Sequence, residues 1–75
     1  MNQRLPIDVL RALRSIVELG SVTRAAESLN LSQSAVSWKI KRLEKQLGCD
    51  LIRREGQRLV ATNEGAELLI HARRI

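Results

Sequence analysis

The side chains with chemistry to offer gather between Gln33 and Arg58. Gln33, Ser34, Ser37 and Trp38 come first, at the i, i+1, i+4, i+5 spacing that shares one face of a helix. A Gln amide accepts and donates at once, as the edge of adenine demands, and a Ser hydroxyl bonds to bases, phosphates or bridging water. Trp38, the one aromatic residue, offers an apolar ring and a single N–H donor. From Lys39 to Arg58 seven basic residues stand against three acidic ones, so charge suited to phosphate lies beside the polar set. Thr23 and Arg24 add an earlier pair able to hold phosphate, next to the free N–H groups of a helix start. The chemistry is that of grasping a polyanion.

Bond-breaking chemistry has no comparable set. His71 and Cys49 are each the single residue of their type, without a partner at metal-ligand or nucleophile–base spacing, and no glycine-rich phosphate loop is present. One cysteine makes no intramolecular disulfide and no thiol cluster. The carboxylates are scattered and look like surface charges, with Glu44 placed to pair with Lys41 or Lys45. Neither an enzyme nor a cofactor or metal site is expected in this domain.

Those side chains need a rigid support, and the apolar pattern supplies one. Pro6 suits a first helical turn, and Leu10, Leu13, Ile16 and Val17 recur at helical spacing up to Gly20, where a first helix ends. Ser21 caps a second helix through Ala25, Ala26 and Leu29; the two alanines let a neighbouring helix come close. Asn30 tolerates positive φ and makes the turn, and Ser32 caps a third helix from Gln33 to Leu47 that stops at Gly48. Two short helices joined by a tight bend form a helix-turn-helix.

On the wheel of the third helix, Val36, Ile40, Leu43 and Leu47 fall within about 60° and form the expected buried stripe. Ser34, Trp38, Lys41, Arg42 and Lys45 lie opposite. A helix fits the major groove of B-form DNA and presents its N-terminal residues to base edges. Gln33 is therefore weighed as a base contact against a mere cap. A lone Trp in a small domain is ordinarily a core anchor, but Trp38 faces away from the stripe, so a DNA contact is favoured over the core, with a partner subunit as the third choice.

After Asp50 the period changes. Leu51-Ile52 and Leu59-Val60 flank Glu55-Gly56-Gln57, the pattern of a two-stranded hairpin with Gly at its tip. Such a hairpin reaches a minor groove or flanking phosphates, with Arg54 the best candidate and Arg53 and Arg58 weaker ones. Thr62 caps a fourth helix through Ala66, Leu69, Ile70 and Ala72, whose pattern runs to Ile75 without a stop signal, as expected of a piece of a longer chain.

Length and charge agree with this outline. Seventy-five residues hold one small domain with an aliphatic core, and 13 Lys and Arg against 8 Asp and Glu give a net charge of +5. No run of apolar residues is long enough for a membrane span and no secretory leader pattern is present, so a cytoplasmic protein with no membrane role is expected.

In order along the chain, Gly20-Ser21-Val22-Thr23-Arg24-Ala25-Ala26-Glu27-Ser28-Leu29, Leu31-Ser32-Gln33-Ser34-Ala35-Val36-Ser37, Ile40-Lys41-Arg42-Leu43-Glu44, Leu47-Gly48, Leu51-Ile52-Arg53-Arg54 and Thr62-Asn63-Glu64-Gly65 resemble the signature of the LysR family of bacterial transcription regulators. The resemblance covers nearly the whole chain with its spacing intact. It implies a mainly α, winged helix-turn-helix fold over residues 1–62, with the helix-turn-helix at about 21–40 and the wing at about 50–61. It implies that 63–75 begin a linker helix that pairs subunits. It also implies binding to double-stranded DNA at an interrupted inverted repeat as a homodimer or tetramer, and a further domain, outside this chain, that takes a small-molecule effector. The family's base-contacting positions fall on Gln33, Ser34, Ser37 and Trp38 and its wing arginine on Arg54. The sequence departs from the family pattern at Trp38, usually polar or basic, at Ile52, usually Phe, and at Ala61, usually Leu, from which a more loosely packed wing is expected.

Overall fold

A computed structural model describes residues 7–73. The expectation for Pro6 and the end of the chain at Ile75 lie outside them. The elements follow in the order α1 (Ile7–Leu19), α2 (Val22–Leu29), α3 (Gln33–Leu47), β1 (Ile52–Glu55), β2 (Arg58–Ala61) and α4 (Asn63–Arg73). Three helices pack around one core, and β1 and β2 form a single antiparallel pair, the wing of a winged helix-turn-helix.

The caps sit where the side chains call for them. The Ser21 hydroxyl accepts from the Arg24 N–H at 3.2 Å, and the Ser32 hydroxyl from the Ala35 N–H at 3.1 Å, each satisfying a donor that the first turn of a helix leaves free. Asn30, at φ 61°, and Gly48, at φ 72°, close α2 and α3 in the left-handed conformation. The turn between α2 and α3 therefore needs only Asn30, Leu31 and Ser32. That brevity fixes α3 rigidly against α2.

The core is aliphatic: Val9, Ala12, Leu13 and Ile16 from α1, Ala25 and Ala26 from α2, Val36, Ile40 and Leu43 from α3, and Leu51 before the wing. Burying a side chain such as Leu13 or Leu43 contributes about 2 kcal/mol relative to leaving it in water. The α1 stripe is turned slightly from the expected one: Leu10 and Val17 are only half-buried, while Val9 and Ala12 complete the buried face. Leu47 corrects the reading of α3. It shares the stripe's direction but lies in the last turn, beyond the core cluster, and is 44% exposed.

The wing is held to the helices from three sides. Glu44 of α3 accepts the Leu51 N–H at 2.8 Å and the Ile52 N–H at 3.4 Å through one carboxylate oxygen. Its expected pairing with Lys41 or Lys45 is thus replaced by backbone donors, which α3 meets at the start of the wing. The Leu59 N–H of β2 donates to the Gly20 carbonyl at 3.0 Å. Thr62 donates its hydroxyl to the Asp50 carbonyl at 2.6 Å and accepts from the Gly65 N–H at 3.0 Å, so one side chain closes the wing and caps α4. Within the wing Ile52 pairs with Ala61 and Arg54 with Leu59, and directly opposed residues share a face. The two departures from the family's wing pattern are therefore cross-strand partners. Both are half-buried.

Candidate nucleic-acid interface

The start of α2, the start of α3 and the wing meet at one cleft. Ser21, Thr23, Gln33, Ser37, Arg54 and Gln57 bring polar atoms to it. Three elements remote in sequence thus present polar and cationic groups to a shared edge. Each has an identifiable support: Thr23 the Ser21 cap, Gln33 and Ser37 the Ser32 cap and the α3 stripe, Arg54 the wing register. Lys41 lies in the adjoining groove with Ser37 and Asp50. Ser34, Arg24 and Trp38 stand exposed and do not line the cleft. Trp38 is 59% exposed, on the outward side of α3 as its place on the wheel requires, and its ring carries the Arg42 guanidinium, with Cζ 5.1 Å from the ring centroid.

Not every basic residue of the 39–58 stretch is free for such an edge. Lys39 Nζ donates to Asp8 Oδ2 at 2.8 Å, tying α3 to α1; this bond holds the Asp8 carboxyl below the usual carboxylate range. Arg53 and Arg54 point to opposite faces of β1, as successive strand residues must. Arg54 reaches the cleft, and Arg53 pairs with Glu55 at 3.1 Å on the other face.

Arg58 has a structural role beyond the weaker contact that the sequence suggested. Its guanidinium donates to the Glu18 carbonyl at 3.0 Å and to the Val17 carbonyl at 3.5 Å, capping the C-terminal end of α1. A cation there satisfies carbonyls left free by the helix end and opposes its partial negative charge. The fit needs Gly20: at φ +72° it carries no side chain, and a Cβ would come within 2.6 Å of Arg58 Cγ. Arg58 is a strut between the wing and the end of α1.

Sequence reasoning missed Gln57, which follows Gly56 at the wing tip and lines the cleft. Its signal was a polar side chain at the hairpin tip, two residues from the preferred wing arginine's neighbour Glu55. It also gave Ser21 only a capping role, although the residue lies on the same edge. Among the described residues no three or more His, Cys, Asp and Glu side chains gather as a metal site, and no helix is long and apolar enough to cross a membrane.

The profile of the bacterial regulatory helix-turn-helix proteins of the LysR family matches residues 7–66, which takes in all three core helices and the wing. The chain belongs to the LysR family. Among its LysR relatives, the transcriptional regulator DgdR of Burkholderia cepacia is 40% identical over 75 residues, covering 100% of this chain and 26% of DgdR. CrgA of Neisseria meningitidis serogroup B is 48% identical over 60 residues, covering 80% of this chain and 20% of CrgA. The chain therefore spans about a quarter of the length of such LysR regulators. Solved LysR domains share the fold. The DNA-binding domain of BenM in complex with benA site 1 DNA superposes with a TM-score of 0.84 at 31% identity, over 93% of this chain and 79% of that one. The DNA-binding domain of CbnR in complex with DNA gives 0.83 at 28% identity, over 93% and 80%. This chain is thus a LysR-type helix-turn-helix domain of the kind found in transcription regulators.

Proposed function

We propose that this LysR domain binds double-stranded DNA sequence-specifically, with α3 in the major groove and the wing at the adjacent minor groove or its phosphates. The observation that carries the reading is the shared edge of Thr23, Gln33, Ser37 and Arg54 on three separate elements. A groove-sized ligand can touch all of them at once. Gln33, Ser34, Ser37 and Trp38 read base edges and the thymine methyl, and Lys41 follows the groove wall. Thr23 and Arg24 hold phosphate at the start of α2, and Arg54 enters from the wing, with Arg53 the lesser contact because Glu55 engages it. The DNA-bound BenM and CbnR domains, so close in fold, support the same use here.

The same likeness supports a larger assembly. In the whole protein, α4 begins the helix that pairs two subunits, giving a homodimer or tetramer at an interrupted inverted repeat. A separate domain binds a small-molecule effector, and the protein works in the cytoplasm as a regulator rather than an enzyme.

The test uses the 75-residue chain and a randomised duplex pool from which it selects its own site. Fluorescence anisotropy then compares the selected duplex with a scrambled one across a salt series. The expected result is tighter binding to the selected duplex and a log–log salt slope of about −0.9 for each phosphate contacted. Equal affinity for both duplexes with a flat salt response would overturn the reading.

A further inference from the structure

We infer that Arg42 is a phosphate contact on the side of α3 away from the wing, and that Trp38 is the platform that positions it. The inference rests on the DNA-binding reading above and adds a residue to it. The observation is the stack itself: Arg42 Cζ lies 5.1 Å from the centroid of the Trp38 ring, one helical turn earlier. Helical side chains lean towards the N-terminus, so an arginine at i+4 is drawn back over the ring at i. In α3 this brings the Arg42 charge towards Gln33 and Ser34, the end aimed at bases.

Of the nearby cations, Lys39, Arg53 and Arg58 are engaged elsewhere, with Asp8, with Glu55 and with the carbonyls of Val17 and Glu18. Arg42 enters none of the hydrogen bonds or ion pairs found among the described residues. A guanidinium held over a ring by its charge spends no N–H donor on a conventional acceptor. Its planar fork of N–H donors thus stays available to grip phosphate oxygens in pairs. The ring thus restrains a flexible side chain without using its donors, lowering the entropy lost on contact.

Position selects phosphate over bases. With about 100° per residue, Arg42 stands roughly 140° around α3 from Ser37, which faces the wing cleft. Arg54 and Arg42 therefore flank the outward face of α3 from opposite sides. A duplex seated against Gln33, Ser34 and Ser37 meets Arg54 along one wall of its groove and Arg42 along the other. The Trp38 ring has its second face and its N–H edge left for the groove.

The experiment measures binding of the 75-residue chain and its Arg42→Ala, Arg42→Lys, Trp38→Phe, Trp38→Ala and double-alanine variants to the selected and scrambled duplexes over a salt series. Thermal melts accompany it to verify the fold, which both exposed side chains leave intact. Arg42→Ala is expected to weaken both duplexes about ten-fold and to reduce the salt slope by about one. On the scrambled duplex, where base contacts do not count, Trp38→Ala should cost about two- to five-fold. Trp38→Phe should recover most of that loss, Arg42→Lys should fall between wild type and Arg42→Ala, and Trp38→Ala should add nothing once Arg42 is gone. If Arg42→Ala leaves the slope and the scrambled-duplex affinity unchanged while the wild-type chain binds steeply with salt, this inference fails and the DNA-binding reading stands. Multiplying effects of the double-alanine variant on the scrambled duplex also overturn it. A wild-type chain that binds neither duplex overturns both.

Discussion

The helix-turn-helix and the wing are held in place by different kinds of bond. Between α2 and α3 every fastening is local: Ser21 and Ser32 each reach a backbone N–H three residues on, and Asn30 turns the chain by its own φ. The wing is fastened across sequence instead. Glu44 reaches Leu51 and Ile52, Arg58 reaches back forty residues to the end of α1, and Thr62 reaches Asp50. Local caps set where α3 begins, and its apolar stripe and the Lys39–Asp8 pair seat it on the other helices. The wing depends on all the helices being in place before it has a position, so its Arg54 is delivered to the cleft by the whole domain. A defect in a wing fastening should therefore disturb more than a lost cap of similar chemistry.

The largest effect that would test this contrast belongs to Gly65. Its Cα lies against the backbone of Leu51, and a Cβ built there falls on the Leu51 carbonyl oxygen, leaving no flexible side chain to move aside. The same carbonyl accepts the Thr62 N–H at 3.0 Å. Gly65→Ala should therefore push α4 off the base of the wing and destabilise the domain by on the order of 3 kcal/mol, despite alanine's better helix propensity. Urea denaturation measures it. A variant as stable as the wild type would mean that the wing's base yields easily and is no fastening.

Glu44 comes next. Its half-buried carboxylate takes two backbone donors where the chain leaves α3 for the wing. Removing it with Glu44→Ala leaves both N–H groups without that partner and should cost about 2 kcal/mol. The sharper expectation is where the loss appears: amide exchange should accelerate through β1 and β2 while the first turns of α3 keep their protection. Affinity for scrambled DNA should fall with it, because Arg54 loses its fixed place, although Glu44 bears the wrong charge to touch phosphate. Tighter DNA binding on loss of this negative charge would show that Glu44 acts as a surface charge after all.

What the sequence disclosed divides along the same line. The helix-turn-helix was legible because its determinants lie within three or four residues of what they control: Ser32 before Gln33, Asn30 after Leu29, the apolar rhythm of Val36, Ile40 and Leu43. The exposure of Trp38 followed from that rhythm alone. The structural roles of Glu44 and Arg58 were missed for one reason. One reads as a surface charge and the other as a weaker DNA contact, and the partner of each is a backbone group that no side-chain pattern announces. Leu47 was misread because a wheel gives direction but not where the opposing core ends. The sequence ranks Arg54 above Arg53 and Arg58, and the strand register and the contacts of β2 add what separates them physically.

The smallest effect completes the comparison from the other side. Ser32→Ala removes one acceptor from the Ala35 N–H, a donor already near water, and should cost about 1 kcal/mol. Ser32→Asp should restore most of it, since a carboxylate caps as well and favours the positive end of the helix. Exchange should quicken only in the first turn of α3, around Ala35, with the wing amides unchanged, the reverse of the Glu44→Ala pattern. The two variants together decide the matter. If Ser32→Ala loosened the wing as much as Glu44→Ala does, α3 and the wing would be one cooperative unit, and the separation between locally capped reader and remotely fastened wing would not describe how this domain holds its shape.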